Sequence, residues 1–348
     1  MRRTLLLTGL VTATTFGTSP TAGQEVNFTQ HFRVFTGKGE AATLADIVKA
    51  MNEADVVLIG ETHSDPVGHF IEAELLRGAL ASVRGSGAAG AQRPLALSLE
   101  MFERDVQGIV DEYLQDLITE GQFKASARPW DYYATDYRPM VEAAKAAGIP
   151  VIAANAPRRY VNRVSRLGRD ALDDLPARAR EYLPPLPYPQ PSDAYRREWL
   201  ALMADMPMQP QCTPPAGPGH AAPDSQAPPA QPRPAMPSHA AAFMENGLQA
   251  QALWDATMAH AITTFLSAHP GALVLHAVGG FHVENFTGIP EQVQHYRPGT
   301  RTIVVSMEPV ADVRTFDRAE FAGQGNFVIL TDKSLDLEYE RSCGPAAR

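Results

Sequence analysis

Four short apolar runs, at residues 56–59, 95–99, 151–154 and 273–278, each end in residues that a buried strand has no use for. They are followed by Gly60-Glu61-Thr62-His63, by Glu100, by Asn155-Ala156-Pro157-Arg158 and by Gly279-Gly280-Phe281-His282. Two carboxylates with two histidines can hold a divalent ion and activate water, or pass protons without a metal. Candidate catalytic residues are therefore Glu61, His63, Glu100, Arg158 and His282, and candidate metal ligands are Glu61, His63, Glu100 and His282, with Mn or Zn as the divalent ion. Glu100 directly follows an apolar stretch, where a carboxylate needs a cation, a metal or a proton. Arg158 is one such cation. Gly60 lets the chain turn sharply, and the Gly279-Gly280 pair implies a close backbone approach. Asp65 and His69 add ligand-type groups, although for this motif in isolation a cap from Thr62 or Asp65, with His63 a satisfied turn residue, is the stronger reading. His276, inside its run, reads as a core histidine, and His260 as solvent-facing. Asp255 either bonds Gln251 four residues away or points into the site.

For these residues to meet, the runs must be parallel neighbours, because ligands bind outside the carboxyl ends of the strands in open α/β sheets. The intervening segments support that arrangement. Apolar spacing predicts helices at residues 44–51, 69–83, 106–118 and 244–268, and a further helix from Pro139 to Ala147 stopped by Gly148. Strands are expected at residues 55–59, 95–99, 150–154, 273–278, 302–306 and 327–330, with an aromatic turn at 130–137. Strand alternating with helix implies an α/β fold of three α/β/α layers with a mainly parallel central sheet. The expected organisation is a signal peptide at 1–23, one α/β domain in two parts at 24–205 and 241–335, a Pro-rich disordered insertion at 206–240, and a tail at 336–348.

The 348 residues are 45% hydrophobic and 20% charged, which is globular composition. Met1-Arg2-Arg3, a short leucine-rich stretch and Thr21-Ala22-Gly23 read as a cleavable export signal, placing the mature chain in the periplasm or outside the cell. The apolar stretch is short of the roughly 20 residues of a membrane span, so no transmembrane anchor is expected in the mature chain. Cleavage would make the formal charge two units more negative than −9, a poor balance for binding nucleic acid. Cys212 and Cys343 either pair in an oxidising compartment or stay in solvent. Met203, Met206, Met208, Cys212, His220 and His239 include soft-metal donor types, but their irregular spacing argues against a site. No Gly-x-Ser-x-Gly elbow, Walker loop or His-Glu-x-x-His is present.

Six segments in order resemble the ChaN-like haem-binding family of the Tiki, TraB and erythromycin-esterase superfamily. They are Val57 to His63, Leu97 to Phe102, Tyr137 to Met140, Ala154 to Arg158, Gln251 with Trp254 to Ala259, and Gly279 to His282. The resemblance implies an exported protein of haem or iron uptake that binds haem through tyrosine at a homodimer interface. Relatives elsewhere in that superfamily use the corresponding Glu and His positions for hydrolysis, some with a divalent metal, so a hydrolase is the alternative reading. Tyr160, Tyr188 and Tyr195 are the candidate haem ligands, in a stretch expected to fold over the crevice; a phenolate suits ferric haem.

Overall fold

A computed structural model describes residues 26–83, 92–205 and 237–335. The expected signal segment, Cys212, Cys343 and the insertion up to residue 236 lie outside the described residues.

Eight strands form one sheet in the order β2-β1-β8-β7-β3-β6-β4-β5. They are β1 (Phe32–Thr36), β2 (Ala41–Ala42), β3 (Val56–Glu61), β4 (Leu95–Glu103), β5 (Val151–Asn155), β6 (Leu273–Gly279), β7 (Thr302–Val310) and β8 (Phe327–Asp332). Strands β3 to β8 pair in parallel, and only β1 runs antiparallel, to β2 and β8. The four apolar runs with polar ends are thus the contiguous strands β3, β6, β4 and β5.

Alternation along each strand builds a core on both faces. In β3, Val57 and Ile59 join a cluster with Ile47, Ile71 and Leu75, whereas Val56 and Leu58 join Met258, Ile262 and Val293. The first face is covered by α1 (Leu44–Met51), α2 (Pro66–Ser82) and, after α3 (Gln107–Leu114) and α4 (Glu120–Ala127), by α5 (Arg138–Ala147). The second is covered by α9 (Pro237–Ala268) and α10 (Ile289–Tyr296), with α6 (Arg158–Leu167) packed on α9; α7 (Ala177–Arg180) and α8 (Asp193–Asp205) lie between α6 and α9 in the chain. The three layers expected from strand and helix alternation are present.

Several boundaries differ from expectation. Strands β3 and β6 run on through Glu61 and Gly279, because central strands with a parallel neighbour on each side continue their backbone ladder whatever the side chain, whereas β4 reaches Glu103 across a register shift that begins after Leu99. Polar residues expected just outside the sheet are therefore in it: Glu61 is the register partner of Gly279. The helix expected at 106–118 is instead a 3₁₀ turn at Arg104–Val106 followed by α3, which is over before Asp116 adopts φ 59°. By contrast α5 stops at Gly148, whose φ of 67° supplies the left-handed cap.

At the amino ends of the strands, Arg93 donates to the carbonyls of Met51, Ala54, Gly271 and Ala272 at 3.0, 2.5, 2.8 and 3.2 Å. That end is tied together by one guanidinium. The titratable clusters sit at the opposite end.

Candidate functional site

Strand parity decides where Glu61 goes, and the partners of Glu100, just where the β4 register shifts, show where that residue goes. Glu61 follows Val57 and Ile59 onto the α2 face, and Glu100, bonded to the Gly279 N–H beside His282, lies on the α9 face. They leave the sheet on opposite sides. The expected single cluster is two histidine–carboxylate groups that meet at the rim over Gly279.

On the α2 side, Glu61 is buried and has three partners. His63 Nδ1 lies 2.7 Å from Oε1, the Tyr137 hydroxyl donates to Oε1 at 2.9 Å, and His69 Nε2 lies 3.0 Å from Oε2. His69 Nδ1 lies 3.7 Å from Asp136 Oδ1. Burial pushes the Glu61 carboxyl up, but the two histidines outweigh it and hold it below the usual carboxylate range. Glu72, one turn after His69 on α2 and fully buried, goes the other way: burial and the charge of Glu61 push it well above that range. Asp65 caps α2 by accepting from the Val67 N–H at 2.9 Å. The capping role weighed for Asp65 is the one found.

On the α9 side, the Gly279 N–H donates to Glu100 Oε2 at 2.8 Å, and His282 Nε2 stands 3.9 Å from Glu100 Oε1. His282 Nδ1 is 2.5 Å from Asp255 Oδ1, so Asp255 serves the site and not Gln251. Burial alone would push the His282 imidazole down; Asp255 and Glu100 reverse this and raise it to about 9. His282 is thus an imidazolium at neutral pH, held by carboxylates on either side. Burial raises the Asp255 carboxyl, against the pull of His282.

His63 joins the two groups. Its ring is 47% exposed, and its Cε1 and Nε2 lie 3.0 and 3.1 Å from where a side chain on Gly279 would begin. Only glycine leaves room there for the imidazole. Burial and the neighbouring His282 pull the His63 pKa down, while its bond to Glu61 and the charges of Glu61 and Glu100 raise it to a net increase. Trp130 meets His63 edge-on with ring centres 4.8 Å apart, and the Arg158 guanidinium lies 5.8 Å from the Trp130 ring. Arg158 is exposed at the start of α6, and among the described residues Glu100 is paired with Gly279 and His282. The Arg158 partner weighed for Glu100 is not the one found.

The remaining candidates separate. His276 is a core residue, as expected: it lies 2.9 Å from Ser98 Oγ, and burial lowers its pKa to about 3. His260 is half-buried against Tyr296, not turned to solvent. Tyr188 is buried and donates to the Gln249 carbonyl at 2.9 Å. Tyr195 is buried against Asp255, and burial raises its phenol far above the ordinary value. Tyr160 is half-buried under the Arg159 guanidinium, 4.5 Å from its ring centre. Glu61, His69 and Glu72 place donor atoms within 4.8 Å of one another, so the possible metal cluster shares only Glu61 with the set named from sequence. Glu72 and Asp136 were missed. The spacing His69-x-x-Glu72, polar residues on the buried face of an apolar helix, was the available signal.

Beside the rim, α6, α8 and α9 enclose a cavity of about 460 Å³. Trp199, Met203, Phe243, Met244 and Trp254 wall it, and Arg158 stands at one edge. Trp254 also packs against His282, ring centres 6.2 Å apart.

Fold and site together define a three-layer α/β protein whose mainly parallel sheet carries paired glutamate–histidine groups at its carboxyl rim. The chain belongs to the family described as haem-binding uptake, Tiki superfamily, ChaN, whose profile matches residues 47–293. A solved structure titled cofacial heme binding to ChaN of Campylobacter jejuni is similar, with a TM-score of 0.59 and 14% identity, covering 87% of this chain and 98% of that one. The type III effector HopBA1 is more distant, with a TM-score of 0.42 and 14% identity over 84% of this chain and 94% of that one. A mutant of the erythromycin esterase EreC in its open conformation has a TM-score of 0.40 and 12% identity over 90% of this chain and 87% of that one. No curated protein sequence matches. Among the described residues, no helix is long and apolar enough to cross a membrane.

Proposed function

We propose that this is an exported haem-binding protein of haem or iron uptake, and that haem enters the groove between α6, α8 and α9. The membership of a haem-binding uptake family carries this reading. The groove suits the ligand in two respects. Its volume of about 460 Å³ is within the range of small-molecule sites, and its tryptophan, phenylalanine and methionine walls fit a flat apolar ring, with Arg158 beside them to pair a propionate. A second copy of the chain would cover the open side, which is the homodimer expected from the resemblance.

Among the described residues no tyrosine lines the groove, and Tyr160 lies about 200° around α6 from Arg158 at 100° per residue. Titrating the purified protein with haemin tests the reading. A saturable Soret shift near equal stoichiometry is expected, with affinity reduced at least about tenfold in Trp254→Ala and in Arg158→Glu, and unchanged in Tyr160→Phe. Absence of a saturable shift sinks the haem assignment; loss of it in Tyr160→Phe moves haem to the other side of α6.

One arrangement favours hydrolysis as a second reading. His63, backed by Glu61, packs on Gly279, whose N–H holds Glu100, and Glu100 stands 3.9 Å from the His282 imidazolium, backed by Asp255. A deprotonated His63 would accept a proton from water while His282 stabilises developing negative charge. Under this reading His63→Ala lowers turnover of an activated ester by about 100-fold or more. Equal turnover in both proteins removes it.

A further inference from the structure

We propose that Glu61, His69 and Glu72 form a closed site for a divalent transition-metal ion beneath the rim on the α2 face. All three are buried, and one donor atom from each lies within 4.8 Å of the others. Geometry goes further than proximity. Two donors about 2.1 Å from one ion and at right angles to each other are about 3.0 Å apart, and His69 Nε2 is 3.0 Å from Glu61 Oε2.

Glu72 supplies the independent observation. It has 0% exposure, and neither carboxylate oxygen has a hydrogen-bond donor among the described residues. Desolvating a carboxylate without compensation is costly, and a second carboxylate beside it makes this worse. One proton shared between Glu61 and Glu72 relieves the repulsion only in part. A divalent ion replaces that proton and neutralises both charges at once.

The surroundings resemble the support that metal ligands need. Asp136 Oδ1 lies 3.7 Å from His69 Nδ1, on the far side of the ring from Glu61, a carboxylate charge that favours the proton on Nδ1 and leaves Nε2 toward Glu61. The Tyr137 hydroxyl occupies Glu61 Oε1 at 2.9 Å, leaving Oε2 for an ion. Two carboxylate oxygens and one imidazole nitrogen suit Mn²⁺, Fe²⁺ or Zn²⁺ better than a thiophilic ion such as Cu⁺. Because the cluster is enclosed, its ion would bind α2 to β3 and hold His63 through Glu61. It is distinct from the haem groove on the other face of the sheet.

The test is metal analysis of the full protein with thermal unfolding in the presence of added Mn²⁺ and Zn²⁺. Expected are one ion per chain and a Tm that rises with metal concentration. Glu72→Gln keeps a hydrogen-bonding side chain and should abolish both effects while leaving the Tm in chelator no lower than wild type. Asp136→Asn should weaken the affinity about 10–100-fold. If wild type carries no ion and its Tm is indifferent to both metals, or if Glu72→Gln still binds one ion per chain, the proposal is overturned. Haemin binding, read on the same variants, should be unchanged.

Discussion

Replacing Asp255 by alanine is expected to cost about 3 kcal/mol of stability at pH 7, rising toward about 5 if His282 keeps its proton. His282 is buried, and its pKa is raised to about 9 from an ordinary 6.5. A difference of that size corresponds to about 3 kcal/mol between protonation states. Without Asp255, the imidazolium loses its hydrogen-bonded counter-ion, keeps Glu100 at 3.9 Å and the more distant Glu284, and must either stay buried with less support or give up its proton. Chemical denaturation measures the loss.

The same pair fixes a pH dependence. A histidine whose pKa is higher folded than unfolded adds stability that is complete below about 6.5 and gone once the pH passes about 9. Glu284 acts in the same direction over a lower window. Burial and the nearby Glu308 and Glu198 raise it to about 8, so the folded state holds a proton that the unfolded chain has lost above about 4.5. Wild-type stability should therefore fall from pH 6.5 to 8 through both groups, and from 8 to about 9 through His282. Asp255→Asn keeps an acceptor for His282 Nδ1 and removes the charge, so the fall above pH 8 should flatten while the fall below it persists. A fall above pH 8 that is equally steep in both proteins would show that Asp255 does not hold the His282 proton.

Much of this arrangement was legible in the residue order. The four apolar runs and their polar ends specify β3, β6, β4 and β5, and paired glycines before His282 correctly signalled a close approach, since a side chain on Gly279 would meet His63. What could not be read was which face each polar residue takes. Glu61 and Glu100 were expected at strand ends, free to converge; strand parity instead sends Glu61 to the α2 face, while Glu100, where the β4 register shifts, is held by the Gly279 N–H beside His282. The partners of each were then supplied by helices remote in sequence, His69 and Glu72 from α2 and Asp255 from α9. Helix α6 escaped detection because its apolar residues are few. Val161 and Val164 are its buried positions among four arginines, so its helical character depends on packing against α9 and not on local pattern.

Gly288→Ala should be among the most damaging single-methyl additions to this protein, at about 2–6 kcal/mol. Gly288 has φ 65° and ψ −117°, a conformation that L residues hold only at about 1–3 kcal/mol of strain. A Cβ there would stand 2.6 Å from the His282 carbonyl oxygen, 3.0 Å from Tyr195 Cε2 and 3.1 Å from Asp255 Oδ2. Overpacking of this kind adds about 1–3 kcal/mol. The three atoms touched belong to the backbone of His282 and to the side chains that support it, so relief of the clash must move the imidazolium or its counter-ion. Gly148→Ala is the control, since Gly148 has φ 67° with nothing within 4 Å and should lose only about 1–2 kcal/mol for left-handed strain. If Gly288→Ala costs no more than Gly148→Ala, Gly288 is there for its backbone angle alone. If it costs more, and the fall in stability above pH 8 also shifts, the turn into α10 is part of what sets the charge on His282.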